Sequence, residues 1–352
     1  MMLFRLLLPS ALTIMYLLGA QQVKAQDLHF TLHTMTPLAF NPANTGGFYG
    51  TYRISGLYRD QYRSVAGDGG FKTPTISVDL PVIKGFREKD WVGVGLFIYQ
   101  DKSGTAGLTQ GSTKISGAYH FAVNKKGSTI LTLGYQTGSV GRRISNPEKL
   151  KFENQQDEGN VNRDKKGKSY TDQVGGLMLT SKYNKTDELK FGFAMGKIGN
   201  PDWSLIMSSD TTGGGINGRY EVNSRMHFQA GMSTVMSDKV RFSPIITYQR
   251  LLKGAESTFV AQGQIDYLLN KEKNTIGIGG IGYRSGQGIG DAIQLMIGAY
   301  IKDIKVMVGY DINISSLTLA SGTAGGFEIA AQYIGKVYKR PKPDPVIFCP
   351  RF

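Results

Sequence analysis

The chain has 352 residues, a formal charge of +14, and 46 glycines beside 18 tyrosines and 17 phenylalanines. Its single cysteine, Cys349, lies near the end of the chain, so an internal disulfide framework is excluded, as is a lipoprotein anchor behind a leader. Lysines and arginines are dispersed among turns rather than gathered along one helix, which argues against a nucleic-acid partner and for anionic lipid headgroups, lipopolysaccharide or an acidic protein partner.

Residues 1–25 read as an export signal. Arg5 supplies a positive start, residues 6–18 are apolar, and Val23-Lys24-Ala25 is a small-residue cleavage site ahead of Gln26. That apolar run is shorter than the roughly 20 residues a spanning helix needs. Every later apolar run is broken by Gly, Lys, Asp or Asn within a few residues, so a membrane-inserted chain would have to cross with strands. Residues 26–49 carry no clear alternation and are expected to form a periplasmic segment or a plug.

From Gly50 onward the dominant period is two. Ile304, Val306, Val308, Tyr310 and Ile312 alternate with Lys305, Met307, Gly309, Asp311 and Asn313, and residues 189–196 and 259–269 behave in the same way. These runs reach about 10 residues, the length of a tilted membrane strand and nearly twice that of an average soluble one. The expected fold is therefore all-β, a transmembrane antiparallel β-barrel of about 14 strands over residues 50–336. Strands are expected to start near Gly50, Phe71, Asp90, Thr109, Ser128, Asp172, Asp187, Arg219, Lys239, Ser257, Asn274, Ile289, Ile304 and Gly326. Connection lengths give a separate check, because even-to-odd connections such as Ser237-Asp238-Lys239 and Lys302-Asp303 are tight. The odd-to-even stretches 141–171, 199–218 and 315–325 are the longest, as expected for a barrel with periplasmic termini. Residues 337–352, with Pro341, Pro343, Pro345 and Pro350, cannot extend a sheet and are expected to form a periplasmic tail.

If the apolar set faces lipid, then Arg53, Arg59, Asp79, Lys190, Asp266, Lys305, Asp311 and Glu328 point inward, and mixed signs there suit crosslinks between barrel walls. On that register Val306→Lys should damage assembly far more than Met307→Lys. Gly277-Ile278-Gly279-Gly280-Ile281-Gly282 has dinucleotide-fingerprint spacing, but more glycine and another strand follow it in place of a helix. His29 and His33 are four apart with no evident third ligand, and neither His120 nor His227 is accompanied by a nucleophile elbow. No cofactor, metal site or enzymatic activity is expected.

Asn41-Pro42-Ala43-Asn44-Thr45-Gly46, followed by Tyr58-Arg59-Asp60-Gln61-Tyr62, resembles the opening of PorP/SprF proteins, in which an Asn-Pro-Ala-x-x-Gly segment precedes an Arg-x-Gln-aromatic strand end. Lys72-Thr73-Pro74-Thr75, Gly93-Val94-Gly95-Leu96, Asp101-Lys102-Ser103-Gly104 and the terminal Cys349-Pro350-Arg351-Phe352 are similar to that family too, while Tyr62 replaces the commoner tryptophan. The resemblance implies an outer-membrane accessory component of the type IX secretion system. Its implied partners are a secreted adhesin or that protein's C-terminal domain, periplasmic ring proteins and outer-membrane lipid. Asn41, Pro42, Ala43, Gly46, Arg59, Gln61, Cys349, Pro350, Arg351 and Phe352 are the candidate partner-binding residues, the Asn41 and Cys349 segments being expected to lie outside the barrel. The rival reading is an outer-membrane diffusion channel or hydrophobic-solute transporter.

Overall fold

The computed structural model describes residues 29–84, 87–149, 167–184, 186–199, 223–252, 256–272, 274–286, 289–315, 318 and 324–337. The leader, most of the two longest loops and the tail bearing Cys349, Pro350, Arg351 and Phe352 lie outside the described residues.

Fourteen strands close into one antiparallel barrel, each paired with its sequence neighbours and the first with the last. They are β1 (Tyr52–Gln61), β2 (Phe71–Lys84), β3 (Trp91–Ser103), β4 (Leu108–Ala122), β5 (Thr129–Ile144), β6 (Gly167–Lys182), β7 (Glu188–Gly196), β8 (Arg225–Ser237), β9 (Val240–Leu251), β10 (Ser257–Asn270), β11 (Thr275–Gly286), β12 (Ile289–Ile301), β13 (Ile304–Asn313) and β14 (Ala324–Gly335). A single helical turn, α1 (Arg63–Ala66), sits between β1 and β2. Closure leaves no unpaired edge, which is what lets a sheet sit in hydrocarbon.

Alternation decides which way each side chain points. On β13, Val306 is exposed while Met307, Gly309, Asp311 and Asn313 are buried, and the other strands repeat this with apolar residues such as Leu133, Ile281 and Ile297 outside. Gly277 to Gly282 belong to strand β11, with Gly280 and Gly282 facing inward against Met296, Gln262 and Gln294. The glycine run thus serves strand packing rather than nucleotide binding.

The lumen is occupied by the chain's own N-terminal segment. Residues 29–46 descend through it in three single 3₁₀ turns, His33–Met35, Pro37–Ala39 and Pro42–Asn44. Phe30, Leu32, Met35 and Phe40 pack with inward-facing Leu57, Ile278, Met296, Met307 and Ala330, giving the barrel a core that its wall alone would lack. Met307 is 1% exposed. The expectation that Met307→Lys is far milder than Val306→Lys is thereby corrected, because the inward face at 307 meets packed plug and not water.

Candidate functional site

The plug is fastened at three levels. At the long-loop end, the Glu328 carboxylate accepts the backbone N–H groups of Thr31 (2.9 Å) and Leu32 (2.7 Å), and also pairs with Arg59. Arg59 bridges to Asp311 (3.0 Å), Arg284 joins the same Asp311 (2.7 Å), and the Thr31 hydroxyl donates to it as well. Gln262 donates to the Thr31 carbonyl at 2.8 Å and Gln294 donates to its hydroxyl at 3.1 Å. Glu328 and Asp311 are fully buried, so their charges are tolerable only because each is paired and hydrogen-bonded. Gln61, two positions on from Arg59 and on the same face, accepts from its Nε and Nη2 atoms at 3.3 and 3.2 Å. The Arg-x-Gln spacing is one strand period, and the glutamine aims the guanidinium at the two carboxylates.

At mid-height, Asn41 caps the turn that follows it, its Oδ1 accepting from Ala43 N at 2.9 Å. Its Nδ2 donates to the carbonyls of Leu177 and Phe193, at 3.0 and 3.3 Å. Pro42 stands at the first position of the turn, where its missing N–H costs nothing. The wall opposite must be glycine, since a Cβ on Gly134 would fall 2.3 Å from Ala43 N and one on Gly176 2.2 Å from Asn41 Oδ1.

At the terminus end, the Gly46 N–H donates to Asp79 at 2.7 Å and its carbonyl accepts from Trp91 Nε1 at 3.0 Å. Gly46 has φ +69°, a left-handed conformation that glycine adopts freely. Arg53 binds Asp79 through two nitrogens (2.9 and 2.7 Å) and donates to the Asn44 carbonyl at 3.0 Å. Trp91 stacks on His120 at 4.4 Å and 7°, and His120 Nε2 lies 2.8 Å from the Thr45 carbonyl.

Asn41, Pro42, Ala43 and Arg59 are thus buried fastenings of the plug; of the two places expected for residues 26–49, periplasmic or plug, the structure has the plug, and the expectation that Asn41 to Gly46 lies outside the barrel is corrected. The physical reason is that its Asn, Pro, Ala and Gly residues match the shape of the inner wall. Cys349, Pro350, Arg351 and Phe352 lie outside the described residues. Sequence reasoning missed Thr31, Gln262, Gln294, Arg284 and the Trp91–His120 stack as fastenings. Inward parity was the available signal for the last five, but nothing local marks Thr31 as the target of Gln262, Gln294 and Glu328.

His33 and His227 flank Phe40 beside a cavity of about 20 Å³, and neither His33 Nε2 nor His227 Nδ1 has a hydrogen-bond partner among the described residues. Neither His29 nor His33 belongs to a group of three or more potential metal ligands among the described residues.

No curated protein sequence matches the chain. Among solved structures, the CymD monoaromatic hydrocarbon channel is similar at TM-score 0.52 and 11% identity, covering 87% of this chain and 94% of that one. A Pseudomonas aeruginosa FadL homologue is similar at TM-score 0.51 and 11% identity, covering 84% and 92%. At that identity the likeness is one of fold, an outer-membrane barrel. The profile of the family described as type IX secretion system membrane protein PorP/SprF matches residues 22–333, and the chain belongs to that family, in the outer membrane.

Proposed function

We propose that this barrel is a closed binding platform, which holds a secreted adhesin through that protein's C-terminal domain and couples it to the periplasmic ring of the type IX machinery. Family membership supplies the secretion context. The observation that carries the platform reading is the plug, fixed to the wall at Glu328, at Asn41 and at Gly46. A conduit for solutes gains nothing from a lumen occupied by its own chain and clamped at three heights. Partner contact then falls to the long-loop rim and to the 337–352 tail, with Cys349, Pro350, Arg351 and Phe352 as its last residues. Lysines and arginines of the outer loops suit an acidic domain.

The experiment removes Pro341 to Phe352 and compares barrel abundance, surface adhesin and co-purifying proteins in intact and truncated strains. Loss of adhesin display with a folded barrel still in the membrane supports the platform. Unchanged secretion, together with free passage of small hydrophobic solutes through the purified barrel, replaces it with the transporter reading that the fold likeness to hydrocarbon channels suggests.

A further inference from the structure

The barrel's outer wall holds a groove that the secretion reading does not use. It has a volume of about 740 Å³, lies across β2 to β6 towards the long-loop end, and among the described residues that line it there is no aspartate or glutamate. That volume is within the roughly 300–1,000 Å³ of small-ligand sites.

The outer wall that it lies in is graded along the strands, as the register makes plain, with Ile76, Ile98, Gly111, Gly141 and Arg143 lining the groove itself and Ile115 and Lys102 flanking it on the same wall. One ladder row on the outer face runs Val78, Leu96, Ile115, and the next towards the rim runs Ile76, Ile98, Thr113, Ser139. Above it come Gln100, Gly111, Gly141 and Ser169, and the rim row is Lys72, Lys102, Thr109, Arg143. Ile98, Thr113, Ser139, Ser169, Lys102 and Arg143 are all exposed, so these positions face away from the lumen. Apolar surface thus passes into hydroxyls over a floor of directly paired glycines and ends in cations.

Strand length explains where the gradient sits. β5 and β6 have 16 residues each and β4 has 15, against 10 in β1 and β13. At about 3.3 Å per residue and a tilt near 40°, 16 residues rise roughly 40 Å, well beyond the ~25 Å apolar band. The rim end, carrying the longest connections, is the outer one by the usual asymmetry of such barrels. The polar and cationic rows therefore stand at and above the headgroup layer of the outer leaflet.

From this geometry we infer that the groove seats one outer-leaflet glycolipid by its phosphorylated sugar headgroup. Phosphate meets Lys102 and Arg143, the sugar lies over Gly111 and Gly141 with Thr113, Ser139 and Ser169 in reach of its hydroxyls, and acyl chains run down Ile98 and Ile115. Charge-assisted contacts to phosphate favour arginine and lysine at the rim. The two glycines give the sugar its depth: a Cβ on Gly111 would meet only Tyr99 O at 3.9 Å, and one on Gly141 only Ser169 Cβ at 3.9 Å and Lys168 O at 4.0 Å. Side chains would fit there without disturbing the barrel, so the fold does not demand glycine at either place.

The test is native mass spectrometry of the full barrel in detergent, titrated with bis-phosphorylated lipid A, with phosphatidylglycerol as the plain anionic lipid and inorganic phosphate as competitor. Wild-type protein should hold one lipid A in preference to phosphatidylglycerol. Lys102→Glu with Arg143→Glu should weaken that binding about tenfold or more. Gly111→Val with Gly141→Val should abolish the preference, while heat-modifiable migration shows each barrel still folded. Lipid A retention unchanged in both variants, or equal retention of phosphatidylglycerol by wild type, overturns the site. Displacement by millimolar inorganic phosphate would overturn the lipid assignment in favour of a free-anion site.

Discussion

Placing a side chain on Gly176 should unseat the plug without opening the barrel wall. The Cβ of Gly176→Val would lie 2.2 Å from Asn41 Oδ1 and 2.9 Å from Pro42 Cδ, where ordinary contact begins near 3.4 Å, so the plug must retreat by about 1 Å. That retreat strains the Asn41 donations to Leu177 O and Phe193 O and the cap on Ala43 N. Overpacking of this kind costs about 1–3 kcal/mol and each hydrogen bond lost adds about 1 kcal/mol, so plug docking should weaken by roughly 2–5 kcal/mol. The neighbouring Gly175, whose Cβ would meet nothing within 4 Å, is the control. In a Cys349→Ser background carrying Ala43→Cys, a membrane-impermeant maleimide should label slowly in the parent and in Gly175→Ala, and at least tenfold faster in Gly176→Val. Heat-modifiable migration verifies that all three barrels are folded. Equal protection of Cys at position 43 in all three would refute the glycine-gated fit.

Val306→Lys places a charge on the lipid-facing wall at about 2–4 kcal/mol and Met307→Lys buries one in the plug core, so both should reduce assembled barrel in quantitative membrane fractions. Glu328→Ala strips Thr31 N, Leu32 N and Arg59 of a shared acceptor, and should destabilise by about 3–5 kcal/mol in detergent unfolding, well beyond Lys190→Ala at a half-exposed pair. Asp187, in the turn after β6, accepts from Asn184 (2.5 Å), Val235 N (2.8 Å) and Thr186 (3.2 Å), which hold its carboxyl below the usual range. Its contribution is therefore present above an unfolded value near 3.9 and lost as pH falls through the lower folded value. Carboxyl NMR should place the Asp187 midpoint below that of Asp187 in an Asn184→Ala variant.

Most strands were legible because one face meets lipid and the other meets a packed or polar lumen, so the period of two survives. The starts expected at Phe71, Ser257, Ile289 and Ile304 coincide with those observed, and most others fall within two residues. β6 is the instructive departure. It begins at Gly167 and not near Asp172, because Lys168, Ser169, Tyr170 and Thr171 are polar or amphipathic on both faces and carry no apolar period. The same polarity forms one side of the outer groove. β8 begins at Arg225, later than the expected Arg219, which lies outside the described residues. The plug was harder to read, since it is held by partners nearly 300 residues away, such as Thr31 and Glu328, and no local period encodes that pairing. What sequence did expose were the residue types: Asn41, Pro42 and Gly46 for a fixed backbone path, and Arg59 with Gln61 for one inward-facing row.

The most direct test of the secretion platform is affinity purification of the full-length barrel from crosslinked outer membranes, with the bound proteins identified by mass spectrometry. The account predicts a large secreted protein, captured through its C-terminal domain, together with periplasmic ring components, and loss of both when residues 341–352 are removed from a barrel that remains folded. Recovery of the barrel alone, with the same empty result before and after truncation, would contradict it.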